Sequence, residues 1–224
     1  MHDFDKDYWE KHWQEGQGGA GSMGDNPPNP YLDRELSSLA PGTALDAGCG
    51  AGAEALWLAS RGWEVTGADI SAEALARAAQ RAAEAGLSER VRWVEADLSS
   101  WSPEGSFDLV MTHYAHPTTP QLEFYDRIAS WVAPGGTLLI VGHLHSADGA
   151  GHGHGHGHGH GHGHGEGAAP PVEASVTAAA VEARLAPGEW EVVTAEERQR
   201  TLPGPGGGDR SLDDVVVRAR RVGV

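Results

Sequence analysis

Between Pro41 and Val141 the chain repeats one pattern: a short apolar run, a tight connection, then a longer segment with helical spacing. "TALDAG", "WEVTGADI", "VRWVEAD", "FDLVMTHY" and "TLLIVGHLH" read as strands, and "AEALWLASRG", "SAEALARAAQRAAEAG" and "TTPQLEFYDRIASWVAPGG" carry the intervening helices. Each helix returns the chain to the start of the next strand, so the strands run parallel and helices cover both faces. Farther along, "EASVTAAAVEARLAPG" has helical composition, and "EWEVVTAEERQR" and "SLDDVVVRARRV" read as strands joined by "TLPGPGGGD". These last two form an antiparallel hairpin. The pattern predicts an α/β, doubly wound, mostly parallel seven-stranded sheet closed by a C-terminal antiparallel hairpin.

In such a sheet, ligands bind beyond the carboxyl ends of the strands, near the point where strand order reverses. The first strand ends in "LDAGCGAG", with Gly48, Gly50 and Gly52 around Cys49. Glycines at this turn let the backbone bend sharply and approach a ligand closely. The helix that follows aims its free N–H groups at the same spot. The second strand ends at Asp69, which has the right chemistry to accept both hydroxyls of a ribose, with Ile70 beside it as an apolar shelf for a purine. At the end of the third, Asp97 is placed to accept a hydrogen bond from an exocyclic amine. The alternative role for either aspartate is a helix N-cap.

This order of strand ends, "LDAGCGAG", "VTGADIS", "VRWVEADLS", "FDLVMTHY" and "PGGTLLIV", resembles the class I S-adenosylmethionine-dependent methyltransferases. The glycine spacing is G-x-G-x-G, as in that family, rather than the G-x-G-x-x-G of a dinucleotide site. The resemblance implies a Rossmann-like methyltransferase fold and S-adenosylmethionine as cofactor. It assigns Asp46, Gly48, Cys49, Gly50 and Gly52 to the methionine portion, Asp69 to the ribose, and Asp97 with Leu98 to the adenine. Thr112 would lie near the methionine tail. The N-terminal "DYWEKHW" is similar to the aromatic–acidic segment of small-molecule methyltransferases of the tellurite-resistance and thiopurine groups, which implies a lid helix over residues 3–15. Trp9 and Trp13 would then cover the cofactor; the alternative is that they are core aromatics of an amphipathic helix.

Methyl transfer needs an aligned nucleophile and exclusion of water, and a base only where the nucleophile carries a proton at working pH. His113, Tyr114 and His116 follow the fourth strand, and His143 and His145 end the fifth. His113 and His116 are the candidates for taking a proton or orienting the acceptor.

Composition narrows the partners. A formal charge of −16 repels phosphate backbones and anionic lipid, so a small-molecule substrate is expected, with no nucleic acid and no membrane. A single cysteine rules out an intramolecular disulfide and disfavours arsenic methylation, which uses several. The charged N-terminus is unlike a signal peptide, so a cytoplasmic location is expected.

The remaining feature is a run in which His152, His154, His156, His158, His160, His162 and His164 alternate with glycine. Several neutral imidazoles on an unrestrained backbone bind Ni²⁺, Zn²⁺ or Cu²⁺ loosely. The composition predicts a disordered insertion over 146–170 and a flexible link over 16–30 within a single domain spanning 1–224. The run is read as a linker, a metal-responsive element, or, least directly, part of catalysis.

Overall fold

The computed structural model describes residues 4–15, 26–144, 174–203 and 209–223. In chain order the elements are α1 (Lys6–Glu15), α2 (Tyr31–Leu36), β1 (Thr43–Ala47), α3 (Ala53–Ala59), β2 (Glu64–Asp69), α4 (Ala72–Glu84), β3 (Val91–Glu95), β4 (Phe107–His113), α5 (Gln121–Ala129), β5 (Val132–Leu144), β6 (Ser175–Val176), α6 (Ala178–Glu182), β7 (Trp190–Pro203) and β8 (Asp209–Arg221). The sheet order is β3-β2-β1-β4-β5-β8-β7, and β6 pairs with the end of β5. The first five strands are parallel, whereas β8 runs antiparallel to both β5 and β7. The expected doubly wound sheet with its C-terminal hairpin is therefore present, with the two-residue β6 as an eighth strand.

Strand geometry sends alternate side chains to opposite faces, and the core divides accordingly. Leu45, Val110, Leu138 and Ile140 pack with Phe124 and Ile128 of α5 and Val181 of α6. Ala44, Leu109, Met111 and Leu139 face the other way, toward Leu32 and Leu36 of α2 and Leu58 of α3. The β1 strand is buried on both faces, as its near-continuous apolar run requires.

Local signals set the helix bounds. Ser71 caps α4 by accepting a hydrogen bond from the Ala74 N–H at 3.2 Å. The expected helix over "EASVTAAAVEARLAPG" begins only at Ala178, because Thr177 caps it there and Ser175–Val176 pair with β5 instead. The β4 strand stops one residue short of Tyr114, whose φ of 53° takes the backbone out of the extended region. Among the described residues, no helix is long and apolar enough to cross a membrane.

Strand order reverses beside β1, which has β2 on one side and β4 on the other. The carboxyl ends of these strands define where a ligand would sit.

Candidate active site

The turn after β1 is held by its neighbours before any ligand is considered. Both Gly48 N–H and Cys49 N–H donate to the Ala68 carbonyl at the end of β2, at 2.8 and 3.1 Å. The Gly50 N–H donates to Asp69 Oδ2 at 2.8 Å, and the other oxygen of Asp69 accepts from the Ser71 N–H at 3.0 Å. Asp69 thus fastens the glycine turn to the start of α4.

Gly48 and Gly50 both have positive φ, 80° and 50°, as does Gly52. A Cβ on Gly48 would stand 2.4 Å from Ala115 Cβ, and one on Gly50 would meet Trp13 at 3.0 Å. At Gly52 the obstacle is Trp93, at 2.5 Å. In this turn the absent side chains make room for protein: the loop after β4, the N-terminal helix and the β3 tryptophan.

Three carboxylates crowd this turn. Asp46 is 1% exposed, and its Oδ2 has no hydrogen-bond partner. Its carboxyl is held well above the usual range, by burial first and then by the negative charges of Glu54 and Asp69. Burial also raises Glu54, which accepts the Asn29 N–H at 3.1 Å, and raises Asp69. Burial pushes the Cys49 thiol up, so it stays protonated and is no nucleophile. Such a site repels phosphate and welcomes a cation.

Toward the ends of β2 and β3 lies a pocket of about 230 Å³ lined by Asp5, Lys6, Ile70, Ala96, Asp97 and Thr118, among others. Asp97 Oδ1 accepts the Ser99 N–H at 2.8 Å, so this aspartate organises its own turn while bordering the pocket. Leu98 is buried in the core cluster against α5 and is not among the lining residues. Thr112 likewise turns inward: its hydroxyl donates to the Ala47 carbonyl at 2.7 Å and ties β4 to the end of β1. Both side chains thus face the interior, Leu98 packing in the core and Thr112 holding strand register.

The N-terminal helix covers the same end of the sheet. Trp13 is buried against Ala51 and Ala74, and its carbonyl accepts from Arg77 Nη2 at 2.7 Å. Trp9 Nε1 donates to the His116 carbonyl at 3.3 Å. Glu10 accepts from Ser71 Oγ at 3.1 Å and the Ala72 N–H at 2.8 Å, placing a carboxylate on the positive end of α4. Lys6 pairs with Glu95 across the mouth of the pocket.

His113 ends β4 and His116 lies in the loop that follows it. Both ring nitrogens of His113 and Nε2 of His116 are enclosed without hydrogen-bond partners. Burial brings each imidazole down to about 3, with the neighbouring His143 adding to the effect on His116. Neutral imidazoles of such low basicity are suited to orienting an acceptor rather than deprotonating it. Rings continue outward from His116, with Phe4 at 5.3 Å, Trp9 at 6.0 Å and His143 at 5.3 Å between centroids.

Sequence reasoning missed a buried polar cluster behind these rings. Asp214 of β8, fully buried, accepts from Tyr31 Oη at 2.9 Å, Tyr114 Oη at 2.8 Å and Arg200 Nε at 2.7 Å. Arg200 Nη2 also donates to Tyr114 Oη at 2.9 Å. Its one sequence signal was an acid at the head of the apolar run "DDVVVRA", and nothing there named its partners. Glu54 and Glu10 were likewise unmarked. The histidine run from His152 to His164, His145, and residues 16–25 of the link lie outside the described residues. Among the described residues, no group of three His, Cys, Asp or Glu side chains is arranged to hold a metal.

Residues 44–136 match the family described as "Methyltransferase domain". That match covers less than half of the chain, which over those residues is similar to methyltransferase domains. The chain is 34% identical over 110 residues to ribosomal RNA small subunit methyltransferase C of Alcanivorax borkumensis, covering 46% of this chain and 33% of that protein. It is 38% identical over 118 residues to an uncharacterized methyltransferase of Mycobacterium tuberculosis, covering 50% of this chain and 58% of that one. The chain thus spans between a third and three-fifths of the length of these two relatives. Among solved structures, the N-methyltransferase NodS of Bradyrhizobium japonicum in complex with S-adenosyl-L-homocysteine superposes with a TM-score of 0.60 at 18% identity, covering 95% of this chain and 97% of that one. That likeness concerns the fold.

Proposed function

We propose that the protein transfers a methyl group from S-adenosylmethionine to a small-molecule nucleophile. The observation that carries this reading is the orphaned, buried Oδ2 of Asp46 beside the carboxyl groups of Glu54 and Asp69. A buried acceptor without a partner is rare and costly. A ligand with an ammonium and a sulfonium answers the missing hydrogen bond and favours the ionised carboxyl. The residues present fit S-adenosylmethionine: Asp46 and the glycine turn would hold the methionine portion, Asp69 the ribose, and Ile70 with Asp97 the adenine. When bound, the cofactor supplies an activated methyl on its sulfonium. The chain's own work is to align, enclose and dry the site: Trp9, Trp13 and Phe4 cover it, and His113 with His116 orient the acceptor through their unpaired nitrogens.

The formal charge of −16 and the ring-lined acceptor side support a small acceptor over a phosphate backbone. Titration calorimetry with S-adenosylmethionine tests the reading directly, and absence of binding at millimolar cofactor would overturn it. The pH dependence gives a sharper signature. Because the Asp46 carboxyl is raised in the free protein and a cation favours its ionised form, binding releases protons and affinity falls as pH is lowered from neutrality. By the same linkage the free protein loses stability as pH rises through that raised value. Calorimetry in buffers of different protonation enthalpy should register the released protons, and Asp46→Asn should abolish the Asp46 contribution to the pH dependence along with much of the affinity.

A metal role for the glycine–histidine run is the alternative reading, and it is separable by experiment. Exchanging His152 to His164 for serine is expected to remove nickel binding in equilibrium dialysis while leaving cofactor affinity unchanged. A large drop in cofactor affinity would make the run part of the site.

A further inference from the structure

Tyr114 has positive φ, the only such non-glycine residue among those described. Left-handed backbone at a bulky side chain persists only where the surroundings overdetermine it. Here they do, from two directions. The Tyr114 N–H donates to the Val141 carbonyl at 2.9 Å, which holds the main chain to β5. At the other end the phenol donates to Asp214 Oδ1 and accepts from Arg200, both from the C-terminal hairpin. Asn29, whose N–H also reaches Glu54 beside the glycine turn, approaches the same hydroxyl with Nδ2 at 3.5 Å.

What this lock controls is the short loop 113–116. Its Ala115 stands where a Gly48 side chain would be, so the loop rests directly on the glycine turn. The Tyr114 ring lies 4.8 Å from the His143 ring, which in turn lies 5.3 Å from His116. The phenol itself takes no part in proton transfer: burial, then the nearby Asp214 charge, push its pKa up, so it stays protonated.

We propose that Tyr114 is a positioning residue of the methyl-transfer site, fastened by the C-terminal hairpin so that the 113–116 loop presents the acceptor at a fixed place above the glycine turn. This inference rests on the methyltransferase reading and makes the β7–β8 hairpin a working part of the acceptor side rather than an edge of the sheet. Its consequence is a separation of effects, with cofactor binding indifferent to the lock and transfer dependent on it.

The test uses the full chain and two variants, Tyr114→Phe, which keeps the ring, and Asp214→Asn, which keeps the shape of the carboxylate. S-adenosylhomocysteine affinity is measured by calorimetry. Transfer is measured as S-adenosylhomocysteine release, with thiocyanate, iodide, hydrosulfide, a thiophenol and a catechol as acceptor probes. In parallel, carbon–proton NMR follows the His116 and His143 ring signals. In Tyr114→Phe, S-adenosylhomocysteine affinity should stay within twofold of wild type. With any probe that turns over, kcat should fall tenfold or more, with the smaller change in KM. The ring signals of both histidines should move whether or not ligand is present. Should Asp214→Asn fail to fold, Tyr114→Phe decides alone. Unchanged kcat/KM in Tyr114→Phe overturns the inference; if no probe turns over, unchanged His116 and His143 signals overturn it. A wild-type chain that binds no cofactor strikes the functional reading instead, and the ring signals of the free protein still decide the positioning role.

Discussion

Replacing Asp69 by alanine is expected to weaken S-adenosylhomocysteine binding by about a hundredfold, and the reason lies in the glycine turn as much as in the ribose. The carboxylate accepts the Gly50 N–H at 2.8 Å and the Ser71 N–H at 3.0 Å, on separate oxygens. Hydrogen bonds to a charged group are worth roughly 1.5–3 kcal/mol each, and losing the acceptor strands two backbone donors in a largely closed site. About 2.7 kcal/mol of that, felt as disorder of the turn in the bound state, is a hundredfold in affinity. Asp69→Asn retains one carbonyl oxygen for one of the two donors and should fall between alanine and wild type. Calorimetry on the two variants checks the order. Affinity within threefold of wild type for the alanine variant would show that the turn holds its shape without the carboxylate.

Gly48→Ala should be strongly destabilising, and Ala115→Gly should partly repair it. A Cβ at Gly48 meets Ala115 Cβ at 2.4 Å, well inside contact distance, while the next nearest atom, Ala115 Cα, stands at 3.5 Å. Two costs follow. Left-handed backbone with a side chain costs roughly 1–2 kcal/mol, and overpacking a rigid neighbour adds roughly 1–3 kcal/mol. The expected loss is about 2–5 kcal/mol, which for a chain of this size lowers Tm by roughly 4–20 °C. In the double variant the steric cost disappears, because only an ordinary contact with Ala115 Cα remains, and the φ strain of 80° stays. Thermal melts of the four proteins form a double-mutant cycle. Strict additivity between the two sites would refute the contact between the glycine turn and the 113–116 loop.

The two predictions mark the boundary between what residues announced and what they concealed. The strand pattern from "TALDAG" to "TLLIVGHLH" and the terminal hairpin were readable because burial on both faces forces continuous apolar runs, and short links force parallel returns. The position of Asp69 and the glycines at the ends of β2 and β1 was readable from the strand pattern, and ligands of such a fold gather at that end. Leu98 and Thr112 stand at the same end of the sheet, and their side chains face the interior. Position along a strand fixes which end a residue occupies, whereas the pleat and local twist decide which way it points.

Other parts of the site carried no local mark. Glu10 reaches the start of α4 from a helix 62 residues earlier, and Asp214 meets Tyr31 across 183 residues. Such pairings depend on where α1 lands and how the hairpin closes, and neither is encoded in spacing. The low basicity of His113 and His116 was hidden for a related reason: the residue type sets an ordinary value near neutrality, and only enclosure away from water brings it to about 3.

By itself, then, the sequence determined the parallel sheet and its terminal hairpin, because periodicity is a local property. The tertiary structure decided that the glycines make room for Ala115, Trp13 and Trp93, that the histidines stay neutral, and that the hairpin reaches Tyr114. Those facts rest on contacts and burial between distant segments, which exist only once the chain has closed on itself.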